Sequence, residues 1–175
     1  MTTEKSLNSL NSLNLADWLN ADRLTEVNHW IAKYPEEQRQ SAVMRTLMLA
    51  QEEHGYLSEP LMNAVAHYLK MPPIAVYEVA TFYSMYQLKP CGKHMINVCR
   101  SFSCQLRGSD DITKALCQKL NVVVGGTTED KQFTLREVEC LGACVGGPVA
   151  QIDKEYHENL TLDNLDMVLE KYKES

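Results

Sequence analysis

Two short cysteine phrases constrain this 175-residue chain more than any other feature. They are CRSFSC, Cys99 to Cys104, and CLGAC, Cys140 to Cys144, and each follows a run that reads as a β-strand. Loops at the ends of neighbouring strands converge on one sheet edge, so a fold that accommodates both phrases can bring four thiols together. Thiolates select zinc, copper(I) or iron–sulfur centres, and residue type alone does not choose among them. The spacing leans towards iron–sulfur. Zinc ribbons usually use two-residue knuckles, whereas four and three intervening residues can wrap a bulkier binuclear core. Gly142, Gly146 and Gly147 would let backbone N–H groups approach anionic sulfurs. The plainer reading is four small buried residues, since free cysteine is commonly buried. Cys91, beside Pro90, and Cys117, beside Leu116 in a helical pattern, read as buried or incidental and are excluded as ligands. His29, His54, His67, His94 and His157 share no short motif, so no catalytic residue is assigned.

Composition narrows the class. Hydrophobic residues at 45% and charged residues at 23% are ordinary globular values. A net charge of −6 and a pI near 5.4 give no general attraction for nucleic acid or anionic lipid. Arg45 and Glu78 break the two richest apolar stretches, so direct membrane insertion is not expected. The first residues lack both an apolar signal core and an acid-poor, arginine-rich leader, which makes the cytoplasm the expected compartment. Six cysteines in a reducing compartment point to metal binding, catalysis or burial rather than to disulfides.

Ser6 to Asn14 reads SLNSLNSLN, too short and polar to bury a face, and residues 1–23 are expected to form a tail. Four helices are predicted next. The first begins with Thr25 as cap and Val27, Trp30, Ile31 and Tyr34 on one face. The second spans about Glu36 to Gly55, the third runs from Glu59 to Leu69 behind a Ser58 cap, and the fourth covers Ile74 to Tyr86. They make a small helical bundle over 24–88. QLKPCGK, Gln87 to Lys93, marks a boundary, and 89–175 reads differently. A strand around Met95 to Cys99 precedes a helix capped by Ser109, with Ile112, Leu116 and Leu120 on one face. Strands at Phe133 to Val138 and Val149 to Ile152 follow. A last helix is capped by Thr161, with Leu162, Leu165, Val168 and Leu169 inward. The expected class is α+β, a helical bundle followed by an α/β sandwich.

DKQFTLREVECLGACVGGP, Asp130 to Pro148, resembles the signature of the thioredoxin-like iron–sulfur protein that serves as the E subunit of bacterial respiratory NADH:quinone oxidoreductases. VATFYS at Val79 to Ser84, GYL at Gly55 to Leu57 and PCGK at Pro90 to Lys93 are similar to further landmarks of that family. The resemblance covers nearly everything from about Leu24 onward. It implies a thioredoxin-like second domain and one 2Fe-2S cluster on Cys99, Cys104, Cys140 and Cys144. It also implies docking on the flavin- and NADH-binding subunit and other peripheral-arm subunits, so that FMN and NADH belong to the partner. The chain would then be an electron-transfer subunit on the inner face of the membrane, held there through the complex. Consistently, no GxGxxG fingerprint occurs.

The equivalent subunit of an NAD-linked hydrogenase or formate dehydrogenase would look the same at this level. A thiol-disulfide enzyme is less well matched, because the chain has no CxxC. A zinc-stabilised interaction module fits the longer cysteine spacings poorly.

Overall fold

Asn20, rather than Thr25, starts the first helix. In the computed structural model, which describes residues 13–173, the Asn20 side chain accepts from the Arg23 N–H at 2.9 Å. Helix α1 spans Ala21–Ile31, and Thr25 sits inside it, its hydroxyl donating to the Ala21 carbonyl. The chain is already packed before that point. Leu15 and Leu19 are buried, and a 3-10 turn over Leu15–Asp17 is pinned where Trp18 meets the His54 ring edge-on at 5.6 Å. The expected tail therefore ends before Leu15, and most of the SLN repeat lies outside the described residues.

The expected Glu36 to Gly55 helix is two pieces. A 3-10 segment, Glu36–Ala42, is broken at Gln38 (φ −111°), and α2 follows over Val43–His54. Arg39 in the 3-10 segment reaches the Tyr68 carbonyl at 2.9 Å, which ties this segment to the helix over Glu59–Leu69. Gly55 at φ +79° ends α2, a left-handed conformation that glycine adopts without a Cβ penalty. Ser58 accepts from the Leu61 N–H and opens α3, Glu59–Leu69.

Helix α4 covers Pro73–Phe82 and stops short of Tyr86. The reason is tertiary. Tyr86 turns inward to donate to the Met44 carbonyl at 2.8 Å, while the Gln51 side-chain amide donates to Met85 O and accepts from Gln87 N. The core of this unit holds Val27, Leu47, Leu57, Val65, Leu69 and Val76, all essentially inaccessible. By contrast, Tyr34 and Tyr83, expected on buried stripes, are exposed. Among the described residues no helix is long and apolar enough to cross a membrane.

The chain divides into two compact units at Pro90 and Cys91, and the second is built on a four-stranded sheet. Strand β1 (His94–Cys99) leads through a single helical turn, α5 (Phe102–Gln105), into α6 (Ser109–Leu120) and then β2 (Phe133–Val138). Gly108, at φ +97°, occupies the cap position expected for Ser109, a backbone conformation that disfavours serine. Strands β3 (Ala150–Ile152) and β4 (Glu155–His157) form a hairpin, and α7 (Leu165–Lys173) closes the chain. Strand β4 was not expected. Thr161 does cap α7, exchanging bonds with Asn164, but Leu162 is exposed while Leu165, Val168, Leu169 and Tyr172 face the core.

The strand order is β2-β1-β3-β4. β1 and β2 run parallel, with His94 opposite Phe133 and Cys99 opposite Val138, so both strands end at the same edge. β3 pairs antiparallel with β1 and with β4. The loops leaving β1 and β2 are the two cysteine phrases. Gly92 allows the chain to enter β1, since a Cβ there would lie 2.7 Å from the Phe133 carbonyl carbon, and its N–H donates to Thr134 Oγ1.

Candidate metal centre

Cys99 is the last residue of β1, and its N–H donates to Val149 O at 3.0 Å. The next N–H, of Arg100, reaches Val138 O at 2.9 Å, so both neighbouring strands fix the start of the first cysteine loop. Helix α5 then reverses the chain within one turn. Cys104 N–H returns to Ser101 O at 2.8 Å, which sets the Cys104 thiol beside that of Cys99. Both cysteines are about 1% exposed.

The second pair is built on glycine. Gly142 takes φ +82°, which turns its N–H onto the Cys140 sulfur at 3.4 Å, and the Cys140 and Cys144 sulfurs stand 3.9 Å apart. A 3-10 turn over Cys144–Gly146 follows, then a cis Gly147–Pro148 bond. Both cysteines of this pair are exposed. The second loop approaches the first pair at Gly147, where a Cβ would lie only 3.2 Å from Cys104 Sγ. Gly146 is similarly confined, because the Glu158 carboxylate occupies the space a side chain would need.

Cys104, Cys140 and Cys144 differ in acidity. Burial pushes the Cys104 thiol up, with the neighbouring Cys99 thiol and the Cys144 charge adding to that effect. The Gly142 N–H holds Cys140 below the usual thiol value, helped by the Cys144 thiol, and Cys144 is raised by the hydrogen bond and charge of Cys140. Within the exposed pair, Cys140 is the more acidic.

Among the described residues, no three His, Cys, Asp or Glu side chains form a ready cage for a single metal ion. Two pairs are a different donor set. A two-iron, two-sulfide core takes four cysteine thiolates, two on each iron, and such a paired arrangement with glycine at the point of closest approach fits it. Cys91 and Cys117 lie apart from these loops in the sequence, and both are half-buried. Cys91 sits before β1 with its thiol pushed up by burial, and Cys117 packs beside the sheet core from α6. Three of the five histidines are engaged elsewhere: His54 with Trp18, His94 with Asp153 at 2.8 Å, and His157 with the Tyr172 hydroxyl at 2.9 Å.

Residues outside the cysteine phrases also shape the centre. Arg107 Nη1 faces the carbonyls of Cys144, Val145 and Gly147, the Tyr156 hydroxyl donates to Leu141 O at 3.1 Å, and Asn159 N–H reaches Gly146 O. Periodicity gave no sign of any of them. The first half of the Asp130 to Pro148 phrase is architectural. The Asp130 carboxylate accepts from Thr128 Oγ1 and Gln132 N, Phe133 is in the core, and Thr134 Oγ1 takes the Gly92 N–H. Around the thiols, Phe102, Leu106 and Val145 present apolar side chains to solvent, Val145 at 92% exposure.

A mixed sheet with paired cysteine loops at the common end of its two parallel strands is the form of a thioredoxin-like ferredoxin. The family model for thioredoxin-like [2Fe-2S] ferredoxins matches residues 27–173, and the chain belongs to that family. Within it, the chain is similar to the E subunit of the NADH-quinone oxidoreductase of Rickettsia conorii, at 50% identity over 142 residues, 81% of this chain and 85% of the relative. It is 42% identical over 148 residues to the E subunit numbered 2 of the NADH-quinone oxidoreductase of Rhizobium meliloti, covering 85% and 87% of the two chains. A solved NAD+-reducing [NiFe]-hydrogenase in its H2-reduced state aligns with 74% of this chain and 22% of its own, with a TM-score of 0.65 and 19% identity, a likeness of fold.

Proposed function

We propose that this chain is an electron-transfer subunit of an NADH:quinone oxidoreductase, binding one 2Fe-2S cluster through Cys99, Cys104, Cys140 and Cys144. The observation that carries this reading is a buried and an exposed thiol pair on the two loops that leave the common end of β1 and β2, with Gly147 of the second loop against Cys104 of the first. When bound, the cluster supplies a one-electron carrier. Cys99 and Cys104 would hold it from within the fold, and Cys140 and Cys144 from the solvent side. The Gly142 N–H, already directed at the Cys140 sulfur, would offset part of the anionic charge there.

The electron partner in this reading is the flavin of the NADH-binding subunit, which would also carry FMN and the nicotinamide site. Relatives at 42% to 50% identity that carry the E-subunit name favour this over a hydrogenase assembly, where the likeness is one of fold. Contact with the partner would keep the chain at the inner face of the membrane.

The helical unit offers a docking surface of its own. Phe82 is 80% exposed and Ile74 66% exposed, both on α4, with Tyr83 edge-on to Phe82 at 5.1 Å. Of the aromatics Trp30, Tyr34, Phe82, Tyr83 and Tyr86, Trp30 is half-buried beneath Lys33 and Tyr86 is a core residue, so Phe82, Tyr83 and Tyr34 are the accessible ones. A chain beginning at Leu24 would lose Leu15 and Leu19 from the core. Surface substitution therefore separates docking from folding better than truncation does. Phe82→Glu is expected to weaken flavoprotein binding at least tenfold with cluster content unchanged, roughly the loss of one interface anchor; unchanged affinity would refute the surface.

The deciding experiment is anaerobic reconstitution with iron and sulfide assay, and EPR after one-electron reduction. Two irons and two sulfides with an S = 1/2 signal are expected. Loss of the cluster should follow Ser substitution at any of the four positions, with retention in Cys91→Ser and Cys117→Ser. Zinc alone in the reconstituted wild type would sink the assignment. The chain alone should not oxidise NADH, and turnover by flavin-free protein would count against the partner division.

A further inference from the structure

Arg107 stands between the two cysteine loops, three residues beyond Cys104, and its guanidinium is turned onto the other loop. Nη1 lies 2.6 Å from Val145 O, 3.2 Å from Gly147 O and 3.4 Å from Cys144 O. The Val145 contact is short and strong, and the other two share what donor capacity remains. The side-chain stem runs beside Gly147. A Cβ on Gly147 would be 3.5 Å from Arg107 Cδ and 3.2 Å from Cys104 Sγ, so stem and thiol flank the same small residue. Val145 is itself exposed, at the crest of a 3-10 turn that has no side-chain cap. A guanidinium anchored in the first loop thus holds the outermost carbonyls of the second.

A guanidinium keeps its charge at any working pH. Among the described residues Arg107 forms no ion pair with a carboxylate; Glu139, which adjoins Cys140, faces Arg100 at 3.8 Å, and Glu158 packs against Gly146. A fixed positive charge thus remains beside a site that carries net negative charge when its thiolates hold a cluster, and more after reduction.

Resting on the cluster reading above, we infer that Arg107 is a positioning residue. It clamps the second cysteine loop onto the first, and its charge raises the reduction potential of the bound centre. Hydrogen bonds and local charge are the levers by which a protein shifts such potentials, and Arg107 supplies both through backbone carbonyls rather than through the sulfurs.

The test uses the full chain, reconstituted anaerobically, as wild type and as Arg107→Lys, Arg107→Gln and Arg107→Ala. Two quantities are read: the rate of iron loss to a ferrous chelator, and the midpoint potential from an EPR-monitored titration at low and high salt. Thermal melts of the cluster-free proteins identify any variant that has lost its fold, and the comparison of Lys with Gln holds because both retain a donor while only Lys retains charge. Arg107→Gln and Arg107→Ala should lose iron about tenfold faster. They should also be harder to reduce by about tenfold in the one-electron equilibrium, ~59 mV, with the difference shrinking at high salt. Arg107→Lys should recover most of the potential and part of the iron retention. If either quantity moves alone, or neither moves, the proposal is overturned. Failure of the wild type to take up a two-iron cluster would instead remove the reading on which it rests.

Discussion

The two cysteine pairs differ in what supports them. Cys99 and Cys104 are about 1% exposed, set by strand pairing and a single helical turn, and form part of a small buried cluster with Val149. Cys140 and Cys144 are exposed, carried on a loop whose shape depends on Gly142 at φ +82° and on contacts from Arg107, Tyr156 and Asn159. One pair belongs to the core and would be placed correctly before any metal arrived. The other is a lip held from outside. A redox site needs both properties: a rigid seat to keep geometry constant between oxidation states, and an accessible side through which electrons pass.

The largest expected consequence is in chemical reactivity. In the cluster-free protein an alkylating reagent should modify Cys140 at least about a hundredfold faster than Cys104, because the buried thiol reacts only after local opening. Peptide mapping by mass spectrometry measures the ratio, and comparable rates would erase the distinction between seat and lip. A smaller difference should appear in stability. Cys104→Ser places a hydroxyl in an apolar site and should cost about 1 kcal/mol, which lowers the melting temperature of a unit this size by roughly 4–8 °C. Cys140→Ser should leave the cluster-free melt unchanged, and equal shifts would mean that the second loop is as integral to the fold as the first.

The smallest effect is the pH profile of alkylation. With Cys140 held down by the Gly142 N–H, its rate should rise and level off at lower pH than that of an ordinary thiol. Cys104, raised by burial, should respond only at higher pH. Substituting Gly142 with Ala strains the φ +82° position that aims this N–H and should move the Cys140 profile back towards the ordinary value. An unchanged profile would show that the N–H is not the cause.

The same contrast explains what was legible in the sequence. The helical unit's buried stripe, with Val27, Leu47 and Val65, repeats at the spacing of its helices, and so could be read without knowing the fold. The runs ending in Cys99 and Val138 announced themselves as strands, and their parallel pairing follows from the connection through α6. Other features depend on distant atoms. Tyr86 leaves the helical path to reach Met44, 42 residues away, and Leu15 and Leu19 fold back from a stretch whose polar repeat suggests solvent. Strand β4 carries Glu155 and Tyr156, both exposed, so no alternation marks it. Arg107 is the sharpest case, since a cation bound to carbonyls 37 to 40 residues away leaves no periodic trace.

The parallel pairing of β1 with β2 also fixes when the site can exist. Each thiol pair is local in sequence and can preform within its own loop, but the stretch from Cys104 to Cys140 contains α6, the turn after it and β2 itself. Closing a crossover of that length incurs its entropic cost before the strand contacts repay it, and such long-range pairing is slow relative to local turns. The halves of the site are therefore early and the whole is late. Iron supplied during refolding should be captured only as the β1–β2 ladder closes, so the appearance of visible absorbance would serve as a clock for the last step of assembly of this unit.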